Sequence, residues 1–334
     1  MYTARGTAAR RPRLGNAVRM LSVIVPARDA AATLPRTLAA IRAQHGAPEY
    51  EVLVVDDGSS DGSGELASDA GAQVVHTDGV GSGKARNRGV AEARGELIAF
   101  TDADCFPTPG WLRAGARCLA DADLVVGAVA PDPSTPLGPF DRTLWVERET
   151  GLYETANLFI RRDLFERVGG FEGWLSDPGT PRGWTNPELG EDVWLGWRAR
   201  RAGARPAFCP DALVHHAVHR REPSGYVGER RRLRHFPAMA ARVPELREQF
   251  FVARWFLSRR SVEFDAALVG LVAASIARSR VPLAAALPYA RTVARRAKPY
   301  RRRAPIVAAV DVAADAVGFA SLVEGSARNR TVVL

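Results

Sequence analysis

Short apolar runs alternate with helical periodicities along the first two hundred residues. Residues 21–26 (Leu-Ser-Val-Ile-Val-Pro) are β-rich and closed by proline, which predicts a buried first strand. Over 33–44, Leu34, Leu38 and Ile41 recur at helical spacing. The same reading gives strands at 51–55, 73–76 and 96–100, with helices at 64–70 and 87–93 between them. Further apolar segments at 124–129, 158–162 and 207–214 are candidate strands, and 193–201 reads as a helix closed by Gly203. Strands alternating with helices predict an α/β protein: a Rossmann-like, mainly parallel sheet with helices on both faces. From about residue 225 the chain turns Arg- and Ala-rich with helical patterning. The expected organisation is a basic extension over 1–19, an α/β domain over 20–224, and a helical, basic region over 225–334.

Composition narrows this picture little. At 334 residues, 46% hydrophobic and 25% charged, the chain is ordinary for a globular protein. Cys105, Cys118 and Cys209 are few and scattered, so the expectation is no disulfide framework, no zinc site and a reducing cytoplasm. Residues 1–19 hold five arginines and no acid, lack the apolar core of a secretory signal, and read as a disordered extension, with Met20 as an alternative start.

Charge adds more. The net charge of +9 is concentrated in blocks at 1–19, 230–234 and 291–303. Such blocks suit an anionic surface or a solvated helix face; with no nucleic-acid-binding motif or aromatic platform, a membrane surface is the better partner and nucleic acid is not expected. No uncharged apolar stretch of about 18 residues occurs, so a spanning helix is not expected. The nearest approach, 266–277, suits a packed or interfacial helix.

The candidate chemistry gathers at strand ends. Residues 96–104 (Glu-Leu-Ile-Ala-Phe-Thr-Asp-Ala-Asp) run from a core strand into two carboxylates one residue apart, Asp102 and Asp104. Their repulsion and desolvation disfavour that placement unless a divalent cation, with a phosphate as its usual companion, is held there. Asp29, Asp57 and Lys84 also fall just beyond strand ends, where ligands collect in open α/β sheets. The stretch 79–85 (Gly-Val-Gly-Ser-Gly-Lys-Ala) imitates a phosphate-binding P-loop. Asp78 stands where the first glycine is required, however, and Ala85 where a magnesium-ligating hydroxyl is required, so a P-loop NTPase is disfavoured.

Six ordered motifs over about residues 20–220 together resemble the family 2 glycosyltransferases of the GT-A fold. Residues 22–29 (Ser-Val-Ile-Val-Pro-Ala-Arg-Asp) are similar to the opening strand and nucleotide loop, with Asp29 where Asn is commoner. Residues 54–61 and 84–89 resemble the second motif and the donor-binding helix start. Asp102-Ala103-Asp104 resembles the DxD motif, Gly190-Glu191-Asp192 the motif supplying the catalytic base, and residues 210–216 the late strand ending in a metal-ligating histidine.

The resemblance implies inverting transfer of a sugar from a nucleoside-diphosphate sugar to a hydroxyl acceptor, a saccharide or lipid-linked one at the cell envelope. Pro26, Ala27, Arg28, Asp29, Asp57, Lys84, Arg86, Asp102 and Ala103 would bind the donor nucleotide, with Asp57 facing a uracil-type base, so a UDP-sugar is favoured. Asp104, Asp102 and His216 would hold Mn2+ or Mg2+, with His215 an alternative to His216. Asp192, with Glu191 beside it, would take the acceptor's proton, although both also suit the first turn of a helix. Asn157, Trp174, Trp184 and Trp194 would border the acceptor. The location implied is cytoplasmic, peripheral at the inner membrane face. A nucleotidyltransferase-like enzyme on the same sheet is the alternative, and a membrane-binding protein with a decayed site is disfavoured by the full set of acids.

Overall fold

The computed structural model describes residues 20–173 and 190–334. Its centre is one eight-stranded sheet in the order β3-β2-β1-β4-β7-β6-β8-β5. The strands are β1 Leu21–Ala27, β2 Tyr50–Asp56, β3 Gln73–His76, β4 Leu97–Thr101, β5 Cys105–Pro107, β6 Leu124–Pro131, β7 Asn157–Arg161 and β8 Pro206–His216. Leu21, Val23, Ile24 and Val25 are all fully buried, as consecutive strand residues must be when helices cover both faces. The covering helices are α1 Leu34–Arg42, α2 Ser63–Asp69, α3 Ser82–Glu92, α4 Trp111–Asp121, α5 Arg162–Arg167 and α6 Glu191–Arg201. Gly89 lets α3 lie against the sheet: a Cβ there would come within 2.7 Å of Ile24 and 2.8 Å of Val55.

Two expectations change in detail. The sheet is mixed, because β7 runs antiparallel to both β4 and β6, and β5 antiparallel to β8. A five-residue apolar run looks the same in either direction, so the sequence could not show this reversal. Helix α3 begins at Ser82, five residues before the predicted start, because Gly81 is its N-cap and the glycines that read as loop enter its first turn.

Cys118 in α4 and Cys209 in β8 form a disulfide across 91 residues, with Cα atoms 6.4 Å apart. The expectation of no disulfide is thereby corrected: residues this distant in sequence meet only through tertiary packing. The cysteine-based inference of a reducing compartment loses its support with it.

Beyond β8 the chain is helical: α7 Pro223–Glu229, α8 Phe236–Arg242, α9 Leu246–Gln249, α10 Arg259–Ala277, α11 Leu287–Ala297 and α12 Ala304–Asn329. Met239, Val243, Leu246 and Leu322 join the same apolar cluster as the sheet. The helical run Val281–Asn329 holds a window long and apolar enough to cross a membrane, with 33% of that window buried. No such stretch is apparent in the sequence because Asp311 and Asp315 interrupt it. In the fold both are occupied: Asp311 is fully buried against Arg296, Arg260 and Tyr226, and Asp315 accepts from Arg260 and Tyr289.

Candidate active site

The carboxyl ends of β1, β2 and β4 open onto one edge of the sheet. At the end of β2, Asp57 is 4% exposed and accepts from the Thr77 hydroxyl (2.7 Å) and the backbone N–H groups of Val80 (2.7 Å) and Gly81 (2.9 Å). Burial raises its pKa, but these donors and the nearby Arg28 charge overcome that and leave it lowered. A carboxylate has about four lone-pair positions, so with three donors bound one lobe is left for a ligand. Within the P-loop-like segment, the amides of Val80 and Gly81 are thus directed at Asp57. Asp29, just past Pro26 and Ala27 of β1, adopts a left-handed φ of 47° and accepts from the backbone N–H of Ser60 at 2.8 Å. It thereby ties the β1 loop to the β2 loop. Lys84 is exposed on the first turn of α3.

At the end of β4 the two acids take different partners. Asp102 accepts from Arg86 at 2.7 Å, and the same buried guanidinium reaches Glu191 at 3.4 Å. Arg86 therefore links α3, the β4 end and α6. The pKa of Arg86 is raised: burial alone would lower it, but Asp102, Glu191 and Asp192 outweigh that. Ala103 is buried, and its carbonyl accepts from Thr37 at 2.8 Å, fixing the turn between the acids.

Asp104 faces two histidines instead. Its Oδ2 lies 2.7 Å from Nε2 of His219 and 3.6 Å from Nε2 of His216. Burial raises the Asp104 pKa, but the imidazole contacts win and leave it lowered. Asp104, His216 and His219 offer ligand atoms all within 4.8 Å of one another, a set able to hold a cation. His216 Nδ1 lies 2.7 Å from the Ala217 carbonyl, a contact that turns Nε2 towards Asp104 and fixes it as the free nitrogen. Strand alternation turns His215 away, and its Nδ1 is buried without a partner among the described residues. His219 was not among the residues expected from sequence; its signal was a third histidine three residues beyond His216, in the segment leaving the strand.

Glu191 and Asp192 form the first turn of α6, whose N-cap is Gly190 with φ 83°. Asp192 accepts from its neighbour's N–H, Val193, at 2.8 Å. Burial, reinforced by the charge of Glu154 and opposed by Arg86, pushes its pKa up to about 7. Burial also raises Glu154 to about 7. Glu154 lies in the irregular stretch before β7, where no periodicity drew attention to it.

The acceptor assignments fare differently. Asn157 is fully buried; its amide donates to the carbonyls of Ala128 (2.8 Å) and Ala212 (2.7 Å) and its oxygen accepts from Trp111 (2.8 Å). Every polar atom of Asn157 is committed to joining β6, β7, β8 and α4, so it is a structural residue and not an acceptor contact. The Trp194 indole donates to Glu172 at 2.8 Å and lies under the guanidinium of Arg242 at 4.1 Å. Trp174 and Trp184 lie outside the described residues.

Comparisons with known proteins agree with this architecture. The glycosyl transferase family 2 model matches residues 22–173. Glycosyltransferase AglE of Haloferax volcanii is 31% identical over 213 residues, covering 59% of this chain. A pre-mycofactocin glycosyltransferase of Mycobacterium tuberculosis is 29% identical over 230 residues, covering 62%. The matches span 66% and 44% of those two relatives' own lengths. Mannosyltransferase PcManGT from Pyrobaculum calidifontis, solved in complex with GDP-Man and Mn2+, shares the fold at a TM-score of 0.61 and 23% identity, over 91% of this chain and 88% of that one. By its motifs, its fold and these likenesses, the chain belongs to the family 2 glycosyltransferases and has their GT-A fold.

Proposed function

We propose that the protein is a cation-dependent, inverting glycosyltransferase that moves a sugar from a nucleoside-diphosphate sugar to a hydroxyl acceptor. The observation that carries this reading is the group Asp104, His216 and His219 beside the acid chain Asp102–Arg86–Glu191. A carboxylate and two imidazoles are donors that suit a divalent first-row metal, and the imidazoles tilt the set from Mg2+ towards Mn2+. Such a cation, held by Asp104, His216 and His219, would act as a Lewis acid and stabilise the charge that grows on the leaving diphosphate. Asp57, Asp29, Arg28 and Asp102 would hold the nucleoside. Asp192, poised near neutrality, would accept the acceptor's proton as the hydroxyl attacks the anomeric carbon. PcManGT was solved with GDP-Man, so the expected uridine donor is best tested against guanosine and thymidine donors. Thermal shifts with UDP-, GDP- and dTDP-sugars, each with and without Mn2+, test the reading. Stabilisation by one nucleotide series that requires the metal is the expected result; no response to any would sink it.

The helical region from residue 225 is proposed to meet an anionic membrane surface at the inner face, where a lipid-linked acceptor would be presented. Exposed Val269, Val272, Ile276, Val281 and Leu287 support this, together with the run 266–310, which carries nine basic residues and no acid. Flotation with anionic vesicles, and its absence with neutral ones, is the expected outcome.

A further inference from the structure

Glu154 stands beside the proposed base with no cation of its own, in a segment built to hold it still. Tyr153, just before it, is fully buried and adopts a left-handed φ of 55°, which a bulky side chain keeps only where its surroundings enforce it. Two elements supply that enforcement. On one side the Tyr153 ring lies against α6: a Cβ on Gly196 would come within 2.1 Å of it, and the Trp197 indole donates to the Gly151 carbonyl at 2.9 Å. On the other side the Ala156 carbonyl accepts from the Thr101 hydroxyl at 3.0 Å, at the end of β4. Glu154 is thereby fixed between α6 and the strand end that leads into Asp102.

Helix periodicity brings Asp192 to the same place. It precedes Gly196 by four residues, so both occupy one face of α6, the face that meets Tyr153. The charge of Glu154 acts on Asp192 across this contact. The nearby cations have other partners: Arg86 of α3 pairs with Asp102 at 2.7 Å and Glu191 at 3.4 Å, and Arg200 of α6 with Glu149 at 3.9 Å. Arg86 still acts on Asp192, but among the described residues no cation offsets Glu154. Burial raises its carboxyl, its own backbone N–H opposes, and Glu149 adds to the rise. Two carboxylates fixed side by side in this way repel, and one proton relieves both.

We propose that Glu154 is a positioning residue for the base: it pairs with Asp192, and the two take up together the proton that the acceptor hydroxyl gives up. The assignment rests on the glycosyltransferase reading and deepens it by naming what sets the strength of the base. In the active form both carboxylates are ionised. As the acceptor oxygen bonds to the anomeric carbon and the diphosphate leaves with its electron pair, the hydroxyl proton passes to Asp192 and is shared with Glu154; it returns to solvent before the next turnover. Arg86 alone would favour ionised Asp192 and weaken it as a base, and Glu154 works against that.

Carboxyl titration by NMR, on the full chain isotope-labelled at the Asp and Glu carboxyl carbons, tests the pair directly. Asp192→Asn and Glu154→Gln assign the two signals. In the wild type each should titrate in two steps, because each reports the other. In Glu154→Gln the Asp192 midpoint should fall by about 1 pH unit or more in a single step, and Glu154→Asp should restore the two-step curve. The thermal shift of the variants with nucleotide and Mn2+ should match that of the wild type. Turnover, read as release of free sugar from the stabilising sugar nucleotide, should show the acid limb of kcat/KM moving down with the midpoint in Glu154→Gln, and a plateau lower by less than about tenfold. An Asp192 midpoint that stays or rises in Glu154→Gln would overturn the proposal. So would loss of nucleotide binding in both Glu154 variants, which would make Glu154 a structural residue. A midpoint that moves while the limb does not would leave the pair standing and fault the parent assignment of Asp192 as base.

Discussion

At the scale of single residues, environment divides similar side chains into different tasks. Asp102 and Asp104 are two residues apart, yet one is neutralised by Arg86 and the other faces two imidazoles. Asp104→Asn should therefore weaken Mn2+ binding by at least about 10- to 100-fold, as metal titration would show, since even outer-shell partners of metal ligands have effects of that size. Asp192→Asn should retain nucleotide binding and lower kcat by about 10²–10⁴, the range for removing a general base. With Asp192 near pH 7, kcat/KM should fall about tenfold per unit as pH drops below that point; a flat profile would remove Asp192 from the role. Stability should run the other way. Asp192 and Glu154 hold protons more tightly folded than unfolded, so their contribution is complete below about pH 4 and lost as pH rises through about 7. Urea midpoints of the apo protein between pH 5 and 8 would record the decline. Asn157→Ala should cost about 1–3 kcal/mol for each carbonyl left unpaired in the core, with no preferential effect on acceptor affinity.

At the scale of elements, most of what positions the candidate site was legible in sequence. The apolar runs ending in Asp57 and in Asp102-Ala103-Asp104 declared both strand and site, because an acid at the end of a buried run is unfavourable unless a ligand, a cation or a dedicated set of donors offsets its desolvation. Three features were not legible, for one physical reason: each depends on what meets what across the fold. The reversal of β7 leaves no mark in a short apolar run. The link between Cys118 and Cys209 requires α4 to lie on β8. The apolar length of α12 is hidden by Asp311 and Asp315, whose partners are set on α10 and α11 and in the 223–229 helix. That last arrangement is testable. Asp311→Ala would leave the buried ends of Arg296 and Arg260 without their anion, and should destabilise the helical region by about 3–5 kcal/mol. Limited proteolysis should then cut the region beyond residue 223 before the sheet is attacked, and equal loss of both would contradict the assignment.

At the scale of the whole molecule, the sheet carries the chemistry and the helices after β8 carry a cationic, apolar face. Replacing Ile276 and Val281, both 80% exposed, with Asp should abolish flotation on anionic vesicles while leaving nucleotide binding intact. Loss of both together would mean the face supports the fold instead. The order of the strands has a separate bearing on how the protein is made. Asp57, Asp102 and Asp104 come from the early strands, whereas His219 lies 115 residues beyond Asp104. At about 5–20 residues per second, a ribosome leaves roughly 6–23 s between the emergence of Asp104 and that of His219. Arg86 precedes Asp102 by 16 residues and can offset one acid from the outset. Asp104 has no such early escort, so a newborn chain completes the pocket around Asp57 well before the residues proposed to hold a cation are all present.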